Sequence, residues 1–139
     1  MRQISSTTRF SLKRQLGEGS FSCVYLAHDN NLDRKCALKI EKADKPKIVL
    51  QFEYNVLKEL QGLKHICQIY DFAENEFKGT QSAIVMQLLG SNLTNLKKQT
   101  NKGLVASSAI PILIQMLEGI EEIHGRGFIH RDIKPVNFI

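Results

Sequence analysis

His130-Arg131-Asp132-Ile133-Lys134-Pro135-Val136-Asn137-Phe138-Ile139 is the stretch on which the reading of this chain turns. At roughly 5% usage per residue type, five specified positions (His, Arg, Asp, Lys and Asn at this spacing) arise by chance about once in 10⁶ to 10⁷ starts. A polar turn that merely closes a helical segment is a poor account of it. The residues before it supply such a helix. Ser107 or Ser108 can cap it, Pro111 suits its first turn, and Ile110, Leu113, Leu117 and Ile120 recur at helical spacing, with Met116 and Ile123 flanking the same face. Gly125 is the expected terminator. Asn92–Thr100 reads as a shorter amphipathic helix that begins at Ser91 or Asn92.

Upstream of Gly90 the pattern is that of strands. Arg9–Leu16 and Ser22–His28 are short apolar and aromatic runs around a Gly-rich break, and Lys35–Ile40 follows a turn at Asp29-Asn30-Asn31. Ile66–Phe72 and Ala83–Leu88 read as two more strands, separated by a polar loop around Glu74–Gln81. Between the third and fourth strands a helix is expected, with Asp44 as its cap, Pro46 in its first turn and Gly62 just past its end.

Composition narrows the class. With 139 residues, 42% hydrophobic and 24% charged, the chain can build an ordinary core. No run approaches the roughly 18 apolar residues of a membrane span, and Met1–Ser6 lacks the apolar segment of a signal peptide. Cys23, Cys36 and Cys67 are odd in number and widely spaced, which suits reduced thiols in a cytosolic protein. The net charge of +5 is dispersed over Lys13-Arg14, Arg34-Lys35, Lys42/Lys45/Lys47 and Lys97-Lys98. No basic tract is long enough to argue for nucleic acid.

Three further stretches carry candidate chemistry. Gly17-Glu18-Gly19-Ser20-Phe21-Ser22-Cys23-Val24 has the form Gly-x-Gly-x-x-Gly-x-Val, with Ser22 in the third glycine place. By itself it reads equally well as a hairpin turn with no ligand. Lys39 lies inside the apolar run Ala37-Leu38-Lys39-Ile40, where a lysine is commonly a snorkelling or edge residue. On the following helix Val49, Glu53, Leu57 and Leu60 fall on one stripe, so Glu53 interrupts an apolar face. A rim carboxylate facing solvent is one account. A Lys39–Glu53 pair is the better one, because a buried carboxylate without a partner is costly. Glu59 lies off the stripe. Val85-Met86-Gln87-Leu88-Leu89-Gly90 is a strand running into a glycine turn.

Taken together, the Gly-rich stretch, the Lys39 strand, Glu53 and the His130–Asn137 pattern resemble the signature of the protein kinases. The resemblance implies ATP and Mg²⁺ as cofactors. Leu16, Gly17, Glu18, Gly19, Ser20, Val24 and Ala37 would surround the nucleotide, and Lys39 would reach its inner phosphates while held by Glu53. Met86 would sit behind the adenine as gatekeeper, and the backbone of Gln87, Leu88 and Leu89 would read its edge. Asp132 would accept or orient the proton of a substrate hydroxyl, Lys134 would neutralise charge on the phosphoryl group, and Asn137 would bind magnesium. Lysine at position 134 suits Ser/Thr rather than Tyr kinases. His130 is expected to pack and hydrogen-bond rather than shuttle protons.

Within the kinases, Pro46–Glu53, Leu60-Gln61-Gly62, Val85–Leu93 and Asp132–Phe138 are similar to the casein kinase I group and, within it, the tau-tubulin kinases. The Asn137-Phe138 pair and Leu89-Gly90-x-x-Leu93 are the most group-specific. The resemblance implies an α+β, protein-kinase-like fold: a five-stranded antiparallel small lobe with one helix, then the first helices of a helical large lobe. The expected limits are a tail over 1–8, the small lobe over 9–86, a hinge over 87–90 and the start of the large lobe over 91–139. It also implies protein substrates phosphorylated on Ser or Thr near acidic or already phosphorylated residues, in cytoplasm and also nucleus. No Asp-Phe-Gly occurs in the chain, so it is expected to be the amino-terminal part of a kinase domain, inactive and self-associating by itself. The alternative is a non-catalytic nucleotide-binding or interaction module derived from a kinase.

Overall fold

The computed structural model describes residues 6–46, 48–77, 81–100 and 105–139. Its contacts divide the chain into two units. One comprises the described residues up to Gln61 together with Cys67–Leu88, and the other Gly62–Ile66 with Leu89–Ile139.

The first unit is a sheet with one helix. Its strands are β1 (Phe10–Glu18), β2 (Ser22–Asp29), β3 (Arg34–Glu41), β4 (Ile69–Phe77) and β5 (Gln81–Met86), with α1 (Ile48–Glu59) between β3 and β4. They lie in the order β1-β2-β3-β5-β4, and every neighbouring pair is antiparallel. Strand alternation sends successive side chains to opposite faces. One face holds the buried cluster of Phe10, Ala27, Cys36, Leu38, Ile40, Ala73, Phe77, Ala83 and Val85, with Phe10 stacked on Phe77 at 6.0 Å. Full burial of such a Leu, Ile or Val is worth roughly 1.5–3 kcal/mol, so Leu38, Ile40 and Val85 hold β3 against β5. The other face carries Lys39 paired with Ile84 and Ile84 paired with Phe72, and α1 packs there through Tyr54 on Phe72 at 5.0 Å.

Several element limits differ from the sequence expectation. The polar Glu74–Gln81 segment is not a loop throughout: β4 continues to Phe77 and β5 begins at Gln81. A register shift between Ala73 and Phe77, with Asn75 at φ 51°, lets the strand bend and continue. β4 also begins three residues later than expected, at Ile69 rather than Ile66, because residues 62–66 belong to the second unit. Asp44, the expected cap of α1, lies four residues before its start and pairs with Lys45 at 3.4 Å; residue 47 is outside the described residues. Gly62 follows the helix at φ 86°, a conformation that glycine takes without strain.

The second unit contains α2 (Leu93–Gln99), α3 (Ala106–Gly125) and a short 3-10 turn at Pro135–Asn137. Asn92 caps α2, its Oδ1 accepting the Asn95 N–H at 2.9 Å. Neither Ser107 nor Ser108 caps α3. The helix starts earlier, where the Val105 carbonyl accepts the N–H groups of Ser108 and Ala109, and Pro111 lies inside it. It ends at Gly125, while the left-handed residue is Gly127 at φ 81°. Glu122 on α3 accepts the backbone N–H of Lys64 at 3.3 Å and of His65 at 3.0 Å. His65 lies over Gly119, where a Cβ would come within 3.2 Å of its own.

Candidate functional site

Two groups of residues carry chemistry, one in each unit. In the first, the Gly-rich stretch is a tight hairpin: the Gly19 N–H donates to the Ser22 carbonyl at 2.8 Å, leaving Ser20 and Phe21 at the tip. Its arms are tied to the residues after β3. The Lys42 N–H donates to the Phe21 carbonyl at 2.9 Å, and Lys42 Nζ donates to Glu18 Oε1 at 2.6 Å. This bond, helped by Gln15, holds the Glu18 carboxyl below its usual range. A Cβ added at Gly17 would meet nothing within 4 Å, so packing within the protein does not require glycine there. Leu16 sits at a register shift between Gln15 and Gly17 and is exposed.

Strand register gathers the expected nucleotide residues. Gly17 pairs with Val24, Val24 with Lys39, and Ala37 with Met86. Direct cross-strand partners share a face, so Val24, Ala37, Lys39 and Met86 lie on the one that α1 covers in part. From α1, Glu53 Oε1 accepts Lys39 Nζ at 2.5 Å. Beyond Met86, the Gln87 N–H is committed to the Gln68 carbonyl at 2.8 Å, and the Cys67 thiol approaches the Gln87 carbonyl at 3.8 Å. Burial pushes that thiol's pKa up. Leu88 is the last residue of the first unit, and Leu89 opens the longer segment of the second.

In the second unit the loop after α3 closes on itself. Asn137 Nδ2 donates to the Asp132 carbonyl at 2.7 Å and to Asp132 Oδ2 at 3.1 Å, and Lys134 Nζ lies 2.8 Å from the same Oδ2. Lys134 first, then Asn137, hold the Asp132 carboxyl below its ordinary range, so it stands ionised and ready to accept a hydrogen bond. His130 Nδ1 accepts the Asp132 N–H at 3.2 Å, and its ring stacks on Phe138 at 6.3 Å. The Phe138 carbonyl in turn accepts the Leu93 N–H at 2.9 Å, which ties the loop to α2. Arg131 adopts φ 64°, the bend that brings these groups together.

The donor set suits a hard cation. Asn137 spends its amide hydrogens on Asp132, which leaves its amide oxygen as the acceptor, and Mg²⁺ takes few protein oxygens when phosphates supply the rest. Among the described residues no three His, Cys, Asp or Glu side chains cluster as a metal site. The sequence reading did not find Glu41 or Lys42. Their only signal was position, two and three residues beyond Lys39.

Residues 10–139 match the family described as protein kinase domain, and the chain belongs to that family. It is also similar to a probable serine/threonine-protein kinase of Dictyostelium discoideum, 31% identical over 131 residues, which is 94% of this chain and 26% of that protein. The chain thus spans about a quarter of the length of that curated relative. The sheet and helices are those of the amino-terminal part of a protein-kinase-like fold. Among the described residues no helix is long and apolar enough to cross a membrane.

Proposed function

We propose that the protein containing this chain is a serine/threonine kinase of the casein kinase I group that transfers the γ-phosphate of ATP to Ser or Thr of protein substrates, in cytoplasm and nucleus. The observation that carries this reading is the Lys39–Glu53 pair: a carboxylate set in an apolar helix stripe meets a lysine set in an apolar strand. Each is costly alone, and together they present an ammonium at a fixed height above the sheet. Lys39 has hydrogens left over after bonding Glu53 and offers them to the inner phosphates. The Gly17–Val24 hairpin lets backbone approach the triphosphate. Asn137 would hold magnesium, which would supply charge neutralisation to the phosphates when bound.

Asp132 orients the acceptor hydroxyl and takes up its proton, while Lys134 stabilises charge on the transferring group. Support for the group assignment comes from Phe138 and Leu93, two of its sequence marks, which bond to each other through backbone. Acidic or pre-phosphorylated substrates are part of the same reading. The experiment is a radiolabelled phosphate transfer from ATP to casein by the full-length protein, beside Lys39→Met and Asp132→Asn. Transfer lost in both variants supports the kinase. ATP binding without transfer in the wild type would leave the nucleotide-binding or interaction module.

A further inference from the structure

Glu41 lies two residues beyond Lys39 on β3 and so on the same face of the sheet. It is 3% exposed. Its Oε1 accepts the Ser82 N–H at 2.7 Å, and its backbone carbonyl accepts Gln81 Nε2 at 2.5 Å. The β3–β5 ladder stops at Ile40 and Ala83, so these two bonds take the place of its next rungs. They leave Oε2 buried with no hydrogen-bond partner among the described residues. A buried carboxylate half satisfied in this way calls for a cation or a donor.

Glu41 and Glu53 line one small cleft with Phe21, Ser22, Val49 and Leu50. Of the described lysines nearest Glu41 in sequence, Lys42 is paired with Glu18 at 2.6 Å and Lys45 with Asp44 at 3.4 Å, while Lys39 is bonded to Glu53, a wall of the same cleft. Lys39 carries three N–H donors, of which Glu53 takes one.

We propose that Glu41 is a positioning residue, a second carboxylate seat for Lys39. The ammonium is bonded to Glu53 on the helix, and Glu41 Oε2, on its own strand, is the seat left open. When the bond to Glu53 is lost, Lys39 shifts to Glu41 Oε2 and stays at the sheet. The inference rests on the reading of Lys39 as the lysine that holds phosphate.

A double-mutant cycle tests it in the full-length protein: Glu41→Gln, Glu53→Gln and both, with ATP affinity, KM and kcat measured for each. The amide introduced by Glu41→Gln keeps an oxygen for the Ser82 N–H, and melting curves check that the fold survives. The double variant should lose affinity by at least about threefold more than the product of the single losses, the behaviour of residues that share a partner. In a Lys39→Met background, Glu41→Gln should change ATP affinity no further. Single effects that simply multiply would make Glu41 a strut to β5 and overturn the proposal. If Lys39→Met itself leaves ATP affinity at the wild-type value, the nucleotide reading fails and this proposal with it.

A second measurement needs no change at Glu41. Acylation of Lys39 by a small amine-reactive ester, followed by peptide mass spectrometry, should rise less than about threefold in Glu53→Gln, because one carboxylate seat remains. A rise to the rate of the exposed Lys13 would also overturn it.

Discussion

Replacing Lys39 with Met separates the work of bracing a helix from the work of holding a phosphate. The ammonium lies 2.5 Å from Glu53, and the two side chains are 26% and 36% exposed. That places the pair between a surface ion pair, worth about 0–1 kcal/mol, and a buried one, whose breaking costs about 3–5 kcal/mol. Glu53 is open enough to rehydrate once the lysine is gone, so the stability loss should fall near the surface end, about 1 kcal/mol. The phosphate contact is different, because a hydrogen bond to a charged group contributes about 1.5–3 kcal/mol, or roughly 10- to 150-fold in affinity. Phosphoryl transfer should fall further, by about 10²-fold or more, since charge grows where the lysine points. Function is therefore expected to fall much more than stability. Calorimetric titration of ATP, radiolabelled transfer and urea unfolding on the same sample measure all three. A stability loss above about 3 kcal/mol with ATP affinity unchanged would make Lys39 a brace for α1, and the argument from the pair would be wrong.

Other outcomes follow from single features. Asp132→Asn keeps the loop's shape but removes the charged acceptor, so transfer should drop by about 10²–10⁴-fold with ATP affinity changed less than about twofold; transfer near wild type would remove Asp132 from the mechanism. Glu122 is held below its ordinary value near 4.5, chiefly by the His65 N–H, so its contribution to stability is complete above that pH and is lost as pH falls through the lower folded value. Glu122→Gln should flatten the acid limb of the stability profile without altering its slope near neutrality, and superimposable acid limbs would refute this. Gly119→Ala should be neutral to about 2 kcal/mol destabilising in urea unfolding, because the added Cβ meets His65 at 3.2 Å and overpacking, at about 1–3 kcal/mol, outweighs the helix gain of about 1. A clearly stabilised variant would show that His65 yields freely. Leu113 and Leu117 lie exposed on α3 beside Ile110 and Ile114, so the chain by itself should bind a hydrophobic dye and associate. Changing both to Ser should reduce dye binding and association in light scattering; no change would place the sticky surface elsewhere.

What could be read from the sequence was what neighbouring residues decide among themselves. The Asp132, Lys134 and Asn137 cage spans six positions, so the chain's own turn brings its members together. The strand runs around Lys39 and Met86 were equally plain, because alternation and apolar content are local. The ends of elements were not. Gln81 and Ser82 look like loop residues until Glu41, some forty positions earlier, supplies the acceptors that make them strand. Ser107 and Ser108 look like caps, yet they lie inside α3, and Val105 at the cap position makes no side-chain cap bond.

The Lys39–Glu53 pair is the instructive case, since its members are fourteen positions apart and still could be matched. What exposed it was cost: a carboxylate on an apolar helix stripe needs a partner, and a lysine within an apolar strand can be one. Glu41 gave no such warning, because at the polar end of a strand it passes for a solvated residue. Only its burial reveals the same unmet requirement for a donor at Oε2. The reasoning that joined Lys39 to Glu53, the cost of an unmet carboxylate, is what points from Glu41 to Lys39. A carboxylate on the helix and a second on its own strand would let Lys39 keep its station when the first is lost, and the Glu41→Gln and Glu53→Gln cycle measures that.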